Sequence, residues 1–465
     1  MALFEDLPIE LLPIIAQHIV KPSHLVQLCL VNRAFDVFAR ECLYRQVYIY
    51  TWHKDVKTKV LKLFETLASS PHLAQYVEQM TIRDFPRALL LDDRVEALQL
   101  CSRGIANCIN LRACSWTRHG SLMTDVVLAL QQLPLLTDLE INSETHYLFK
   151  PEILTGFTHL RKISLIMPSR PIINLLPIWI TATTTTLRHL TLICKSSTRV
   201  NDELLATLAP NLTNLEHLYL VGCPKVTHKG VLSVLASNTP GIRGLGMEGL
   251  SSTFDMVEFS QQCLESGALE HLRSITLTGP LKTSSHAWAQ QVINLLSMSP
   301  LEMFHISTMG GEVGGTLSDE LCEQIVSTHG LNLRRFSVDR MGISIHAIRR
   351  ICQECTKLEE LFVTANQDDM DALGSCLAYT RTLRSLHVKR PVGQGSDTAP
   401  LVSESQVLSM VNKCGSELQQ IGRNTRVWQV SREVKRAADG SLTVERVLVP
   451  YELPEIPEQF LVIRT

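Results

Sequence analysis

The sequence has no excess of charge of either sign. Its 465 residues carry 44 Lys and Arg against 46 Asp and Glu, a formal net charge of −2 at pH 7. A nearly neutral chain does not capture nucleic acid or an acidic membrane by charge alone, so we expect neither partner. No apolar run approaches the roughly 20 residues of a membrane helix, and the start of the chain lacks the basic and then apolar pattern of a signal peptide.

Sequence motifs of catalysis and metal binding are also missing. GxxxxGK[ST], GxSxG and HExxH do not occur, which removes the starting residues of phosphate-loop, hydrolase and zincin chemistry. Cys352 and Cys355 form one CxxC without a second pair, and the 16 histidines are scattered without a ligand-like cluster. We therefore expect no enzyme activity, no metal and no cofactor.

The cysteines do not suggest a disulfide framework. There are thirteen, an odd number, and they are scattered through apolar segments. This distribution favours buried free thiols in a reducing compartment, so we expect a cytoplasmic or nuclear protein. Cys108 and Cys355 each lie three residues before a recurring leucine, which indicates core positions at helix ends.

A short apolar pattern recurs through most of the chain, with apolar residues at its first, fourth and sixth positions. Starts at residues 136, 160, 187, 215 and 242 are about 24 to 28 residues apart. This period and the LxxLxL core are typical of leucine-rich repeats, in which each unit is a strand plus a helix. One unit cannot bury its own apolar face, so neighbouring units must stack. The clearest copies are Leu111-Cys114-Trp116, Leu136-Leu139-Ile141, Leu160-Ile163-Leu165, Leu187-Leu190-Leu192, Leu215-Leu218-Leu220, Ile242-Leu245-Met247, Leu272-Ile275-Leu277, Leu301-Phe304-Ile306, Leu333-Phe336-Val338, Leu358-Leu361-Val363 and Leu383-Leu386-Val388.

The repeats predict an α/β fold, a right-handed leucine-rich-repeat solenoid shaped as a horseshoe with a parallel sheet on its concave face. We place about 11–13 repeats in residues 73–425, after a helical linker at residues 51–72. Residues 426–465 are predicted to form a C-terminal β-hairpin cap and a tail. The hairpin follows from two alternating segments, Arg426 to Val434 and Leu442 to Val449, around Asp439-Gly440.

Residues 1–50 differ from the array and contain three segments with helical periodicity. Lys21-Pro22 separates the first two, and the segment ending at Arg45 runs into a strand-like Val47 to Tyr50. We predict a small N-terminal helical domain. The residues that share a face within each segment are Leu11, Ile15 and Ile19, then Leu25 and Leu28, then Phe35, Phe38 and Cys42.

This N-terminal stretch resembles an F-box. The matching segments are Leu7-Pro8, Glu10 to Ile19, Leu25 to Asn32 and Phe35 to Arg40. The ending Leu43-Tyr44-Arg45-x-Val47 is similar to F-box proteins of fungi. In the array, Leu212 to Ser237 resembles the cysteine-containing repeats found in F-box proteins. A plain helical cap on the array is the alternative for residues 1–50.

The resemblance implies that the N-terminal domain docks a Skp-type adaptor, which links it to a cullin–RING ubiquitin ligase. The chain would then be the non-catalytic substrate receptor of an SCF-type ligase, with an unidentified target protein bound to the array. The alternative is a leucine-rich-repeat scaffold that acts outside any ligase. The candidate adaptor-binding residues are Leu7, Pro8, Leu11, Ile14, Ile15, Leu25, Leu28, Val31, Asn32 and Phe38.

Candidate target-binding residues follow from the alternation of a strand. The first, fourth and sixth positions of a repeat point into the core, so the third and fifth positions face the concave side. Polar and aromatic side chains there suit a protein-binding surface. We expect His305, Arg335 and Phe362 to be exposed and to tolerate substitution without unfolding. The candidates are His189, His217, Tyr219, His305, Arg335, Phe362 and His387.

The second position of the pattern is arginine in seven copies. Stacked repeats would line these arginines along one rim, interrupted by glutamates. Ion pairs between neighbouring copies are the favoured interpretation, and a basic rim for an acidic or phosphorylated segment is the alternative. The column consists of Arg112, Arg161, Arg188, Arg243, Arg273, Arg334 and Arg384, with Glu216, Glu302 and Glu359 between them.

Overall fold

The computed structural model divides the chain into two compact units, one up to Cys194 and one spanning Lys195–Tyr451. Among the residues that it describes, no helix combines the length and hydrophobicity needed to cross a membrane. The described residues are 8–19, 21–51, 53, 55–85, 94–144, 148–195, 197–279, 286–308, 316–366, 368–391, 403–424, 426–436 and 441–451.

The first unit begins with three helices and continues as alternating strands and helices. A 3₁₀ helix at Pro151–Gly156 takes the place of an α-helix in one repeat. The elements are α1 Leu11–Gln17, α2 Pro22–Cys29, α3 Arg33–Arg45, β1 Gln46–Ile49, α4 Val56–Ser69, α5 Pro71–Ala74, β2 Gln79–Ile82, α6 Arg94–Asn107, β3 Ala113–Trp116, α7 Thr124–Gln131, β4 Asp138–Asn142, β5 Lys162–Ile166, α8 Arg170–Thr183 and β6 His189–Ile193.

The second unit repeats the same alternation and ends in a hairpin. A short 3₁₀ helix, Ala209–Asn211, follows its first α-helix. The elements are α9 Asp202–Leu208, β7 His217–Val221, α10 His228–Ser237, β8 Gly244–Glu248, α11 Met256–Ser266, β9 Ser274–Gly279, α12 His286–Leu296, β10 Met303–Thr308, α13 Asp319–His329, β11 Arg335–Asp339, α14 Ile345–Glu354, β12 Glu360–Thr364, α15 Met370–Leu377, β13 Ser385–Lys389, α16 Glu404–Lys413, β14 Gln420–Arg423, β15 Arg426–Arg436 and β16 Leu442–Pro450.

Strands pair in the order of the sequence within each unit. In the first unit β1 to β6 are parallel neighbours. In the second unit β7 to β14 are parallel, and β14, β15 and β16 are antiparallel. The predicted α/β solenoid fold and its C-terminal hairpin are therefore confirmed. The predicted hairpin turn, Asp439-Gly440, lies outside the described residues.

The core lies between the strands and helices of each repeat, at the positions that the LxxLxL pattern predicts. In the repeat of β7, Leu215, Leu218 and Leu220 are fully buried, together with Val231 and Val234 of α10. Burying one such side chain contributes roughly 1.5–3 kcal/mol. Stacked repeats of this kind therefore share one continuous apolar interior.

Side chains at the helix starts join consecutive repeats in the second unit. The carboxylate of Asp202 in α9 accepts hydrogen bonds from Thr227 N at 2.7 Å, from Thr227 Oγ1 at 2.6 Å and from Gly230 N at 3.2 Å. In turn His228 Nδ1 accepts a hydrogen bond from Asp255 N at 3.1 Å. A Cβ at Gly230 would lie 2.4 Å from the Asp202 carboxylate, so this close approach requires glycine. The starts of α10 and α11 therefore each receive a hydrogen bond from a side chain of the preceding repeat.

The segment predicted as a linker contains α4, which packs against α6. Its side chains Val60, Phe64 and Leu67 are buried. The strand expected after the third helix is β1, which pairs in parallel with β2 and so begins the sheet of the first unit. The domain boundaries at residues 50 and 72 stay predictions, but α4 belongs to the same stack of helices as α6.

Candidate binding surface

The third, fifth and seventh positions of the repeats project from one side of the β7–β14 sheet, which we call the polar face. Adjacent strands are about 4.8 Å apart, so neighbouring repeats bring equivalent side chains into contact. Six of the seven predicted target-binding residues lie on the polar face, and one, His189, is on β6 of the first unit, where it is half-exposed. The polar face is therefore the candidate binding surface.

At the β7 end, the rings of His217 and Tyr219 are stacked, with centroids 6.2 Å apart and planes 14° apart. The phenol of Tyr219 donates to Ser274 Oγ at 3.5 Å, across the intervening strand β8. That strand carries Gly246 and Gly244, where an added Cβ would lie 2.3 Å from Tyr219 Cδ1 and 2.2 Å from His217 Nδ1, respectively. The two rings therefore lie directly on the backbone of β8, which only glycine permits.

In the middle of the polar face, His305 Nδ1 lies 2.6 Å from Ser337 Oγ on the next strand. Burial lowers the pKa of His305 to about 4, so its imidazole is neutral near pH 7. The guanidinium of Arg335 forms a bidentate ion pair with the carboxylate of Glu360, with N–O distances of 2.9 and 3.1 Å. Both residues face the surface with their hydrogen-bonding groups already engaged by neighbouring repeats.

The prediction of an exposed side chain is wrong for Phe362, and His387, another predicted target-binding residue of the polar face, is also buried. Phe362 is only 5% exposed and His387 only 1%, and their ring centroids are 6.3 Å apart. The imidazole also lies on Gly422, where an added Cβ would overlap Nδ1. Burial lowers the pKa of His387 to about 3. The register is as predicted, but large rings on adjacent strands cover each other.

The sequence pattern ended at the sixth position and so missed the polar residues at the seventh, among them Glu248, Ser307, Asp339 and Lys389. Glu248 accepts a hydrogen bond from Ser307 Oγ at 3.3 Å. Asp339 is paired with Lys389 Nζ at 2.6 Å. Each partner lies two strands away, so these side chains span a neighbouring repeat. The sequence could have indicated these residues, because each is the charged or hydroxyl residue that directly follows the apolar sixth position.

Glu248 differs from the other carboxylates of this row. Burial, with the negative charge of Asp339 as a smaller cause, raises the pKa of Glu248 to about 7, while Ser307 and Arg340 act in the opposite direction. A carboxyl group with this pKa is present in both protonation states near neutral pH.

In the second unit, three arginines of the column form ion pairs with glutamates. Arg243 pairs with Glu216 at 3.2 Å, and Arg273 pairs with Glu302 at 2.8 Å. Arg334 pairs with Glu359 at 2.9 Å and lies 4.0 Å from Glu302. These pairs agree with the favoured interpretation of the column. Because the arginine side chains are more than half exposed, each pair contributes little, on the order of 0–1 kcal/mol.

The three N-terminal helices carry a second candidate surface. Of the predicted adaptor-binding residues, Pro8, Leu11, Ile14, Val31 and Asn32 are exposed, and Ile15, Leu28 and Phe38 are half-buried. Asn32 also caps α3, because its side chain accepts a hydrogen bond from Phe35 N at 3.0 Å.

The remaining two predicted adaptor-binding residues are Leu25 and Leu7. Leu25 is buried among the helices, which corrects its assignment, because an apolar residue on α2 was needed to pack the three helices together. Leu7 lies outside the described residues.

The buried thiols agree with the predicted core positions. All thirteen cysteines are free, and Cys108, Cys352 and Cys355 are buried. Burial raises the pKa of the Cys108 and Cys355 thiols to about 12. Among the residues that the structure describes, no three His, Cys, Asp or Glu side chains are grouped so as to hold a metal ion.

The architecture is an α/β solenoid of the leucine-rich-repeat type. No protein-family model and no curated protein matches the sequence. Among solved structures, the chain is similar to the complex of Rad7 and Elc1 in yeast, with 15% identity over 79% of this chain and 88% of that chain and a TM-score of 0.43. It is also similar to the leucine-rich-repeat-containing protein LegL7 from Legionella pneumophila, with 11% identity over 65% and 91% of the two chains and a TM-score of 0.37. Both TM-scores are below 0.5, so these likenesses add nothing to what the strand order shows.

Proposed function

We propose that this chain is a non-catalytic substrate receptor of an SCF-type ubiquitin ligase. Its three N-terminal helices dock a Skp-type adaptor, and its repeats bind a target protein for ubiquitination. Chemistry would be supplied by the cullin–RING subunits. The F-box resemblance of the first fifty residues is the starting point, and the distribution of exposed apolar side chains supports it.

One observation carries the proposal. Seven of the nineteen exposed large apolar side chains among the described residues lie between Ile9 and Val37. Leu30 at the α2–α3 junction is 82% exposed and Val31 beside it is 62% exposed. Contiguous exposed apolar surface marks interaction sites in soluble proteins, whereas single exposed apolar residues need no explanation. The seven exposed side chains of the N-terminal helical region are Ile9, Leu11, Ile14, Val26, Leu30, Val31 and Val37.

Target binding is assigned to the polar face. Its surface combines the rings of His217 and Tyr219 with hydrogen-bonding groups held by neighbouring repeats. Rigid aromatic anchors surrounded by polar groups are typical of binding surfaces between proteins.

Co-expression with a Skp-type adaptor tests the proposal. We expect the wild-type chain to co-purify with the adaptor as one complex. Ile14→Asp and Val31→Asp place a charge on exposed positions and should abolish co-purification without lowering the melting temperature. The double variant Leu7→Ala, Pro8→Ala should also weaken the complex, since both residues belong to the F-box-like opening.

Leu331→Asp is the matched control, because Leu331 is 73% exposed but lies in the second unit. This variant should bind the adaptor as well as wild type does. A wild-type chain that forms no complex with the adaptor would refute the proposal. If that chain still captured target proteins, the scaffold function outside any ligase would take its place.

A further inference from the structure

The carboxylate of Glu248 is set apart from the other acidic groups of the polar face. Glu360 is paired with Arg335 and Asp339 with Lys389. Among the described residues, Glu248 takes part in no ion pair, and its side chain receives one hydrogen bond, from the neutral hydroxyl of Ser307. A half-buried carboxylate that forms no ion pair is stabilised by a positively charged partner that reaches it.

The surroundings of Glu248 offer a place for the rest of such a partner. Glu248 and Gly246 are on the same strand, two residues apart, and so project to the same face about 7 Å from each other. The ring of Tyr219 lies on Gly246, with His217 stacked beside it. These two rings, which lie over Gly244 and Gly246, form what we call the aromatic platform. A flat aromatic surface binds aliphatic stems and attracts cations.

We propose that the aromatic platform and Glu248 form a pocket for a lysine or arginine side chain of the target protein. The stem of that side chain lies on the rings of Tyr219 and His217, and its charged end reaches the Glu248 carboxylate. Ser307 holds the carboxylate in place from the far side through its hydroxyl. The inference deepens the proposed function, since it names the chemistry by which the polar face recognises its target.

Binding of an acidic target segment beside Glu248 is disfavoured. An acidic or phosphorylated segment would have to meet Glu248 and Asp339, which lie in the same row. The basic side chains that could attract it already have acidic partners. Arg243 and Arg273 pair with Glu216 and Glu302 at the second position of the repeats. On the polar face, Arg335 pairs with Glu360, Lys389 pairs with Asp339, and Arg340 lies 3.9 Å from Asp339. Charge complementarity on the polar face therefore favours a cation.

Peptide selection with the purified full chain tests the inference without the adaptor. The probe is an immobilised library of random nonapeptides. We expect the bound pool to be enriched in Lys and Arg at one position, and peptides chosen from it to bind Glu248→Gln about tenfold more weakly. Tyr219→Leu should weaken them as well, and Glu248→Lys should select Asp or Glu instead.

Glu360→Gln is the matched control, because it removes a carboxylate of the same face that already has a cation. Its selected peptides should match those of the wild type. A wild-type pool without Lys or Arg enrichment overturns the inference, and so does enrichment that survives in Glu248→Gln. Adaptor co-purification of each variant is measured separately. If the peptide selection fails but the chain still binds the adaptor, the cation pocket is rejected. The proposed function as a substrate receptor is not affected by that result.

Discussion

The Glu248 carboxylate on β8 accepts its hydrogen bond from Ser307 Oγ on β10, at 3.3 Å, across the intervening strand β9. The charged groups that face it are Asp339, which raises its pKa, and Arg340, which lowers it. A neutral hydroxyl compensates little of the cost of burying a charge. The polar face therefore carries a carboxylate whose ionisation opposes folding.

That ionisation predicts a pH-dependent effect of Glu248→Gln. The pKa of Glu248 in the folded chain, about 7, is above its ordinary value of 4.5. Its contribution to stability is therefore fully present below pH 4.5 and is lost as the pH rises through about 7. We expect the variant to gain stability over wild type by roughly 1–3 kcal/mol at pH 8, and to gain little at pH 5. Urea unfolding at both pH values measures the difference, and exposed Glu270→Gln serves as the control. A pH-independent difference would contradict the assignment.

His387 predicts the opposite dependence on pH. Burial lowers its pKa to about 3 from the usual 6.5, so its stabilising contribution exists above pH 6.5 and is lost as the pH falls toward 3. Below pH 6.5, wild type should lose stability relative to His387→Gln by about 1.4 kcal/mol per pH unit. Denaturant unfolding between pH 7 and 4 checks this slope. His286→Gln alters a histidine whose side chain is 72% exposed and should leave the slope unchanged.

Phe362→Ala is expected to destabilise the fold although Phe362 is not on the core side of β12. Its ring is buried against His387, so truncation leaves a cavity and exposes the imidazole. We expect a loss of roughly 3 kcal/mol in the free energy of unfolding, comparable to that of Leu361→Ala. Thermal and urea unfolding of both variants provide the comparison. Leu331→Ala, at an exposed site, should change stability by less than about 0.5 kcal/mol. A similarly small effect of Phe362→Ala would show that the ring is exposed in solution.

Asp202→Ala is expected to weaken the connection between the repeats of α9 and α10. The substitution removes the acceptor of three hydrogen bonds, two of them from backbone N–H groups at the start of α10. The expected loss is roughly 2 kcal/mol in the free energy of unfolding. Glu203→Ala, one residue later and exposed, should cost well under half as much. Equal losses for the two variants would mean that Asp202 acts only through its charge at the N-terminus of α9.

Much of the fold follows from local sequence. The period of the LxxLxL pattern predicts the strands, and Leu218 and Leu220 are buried because a strand must alternate faces. Helix starts were also predictable, since Asn201 and Thr227 accept hydrogen bonds from the first turns of α9 and α10. The same alternation placed His217, Tyr219 and Arg335 on the polar face.

What the sequence by itself determined is the α/β repeat architecture and the face on which each strand residue lies, because both depend on spacing along one chain. The tertiary structure decided how deeply each of those residues is buried, because burial depends on the side chains of adjacent strands. Phe362 and His387 are covered by each other, and Tyr219 lies over β8 because the next strand offers Gly246. The same cross-strand packing places Glu248 beside the aromatic platform, with the Ser307 hydroxyl as its hydrogen-bond donor. A periodic pattern read along the chain contains none of these contacts between repeats.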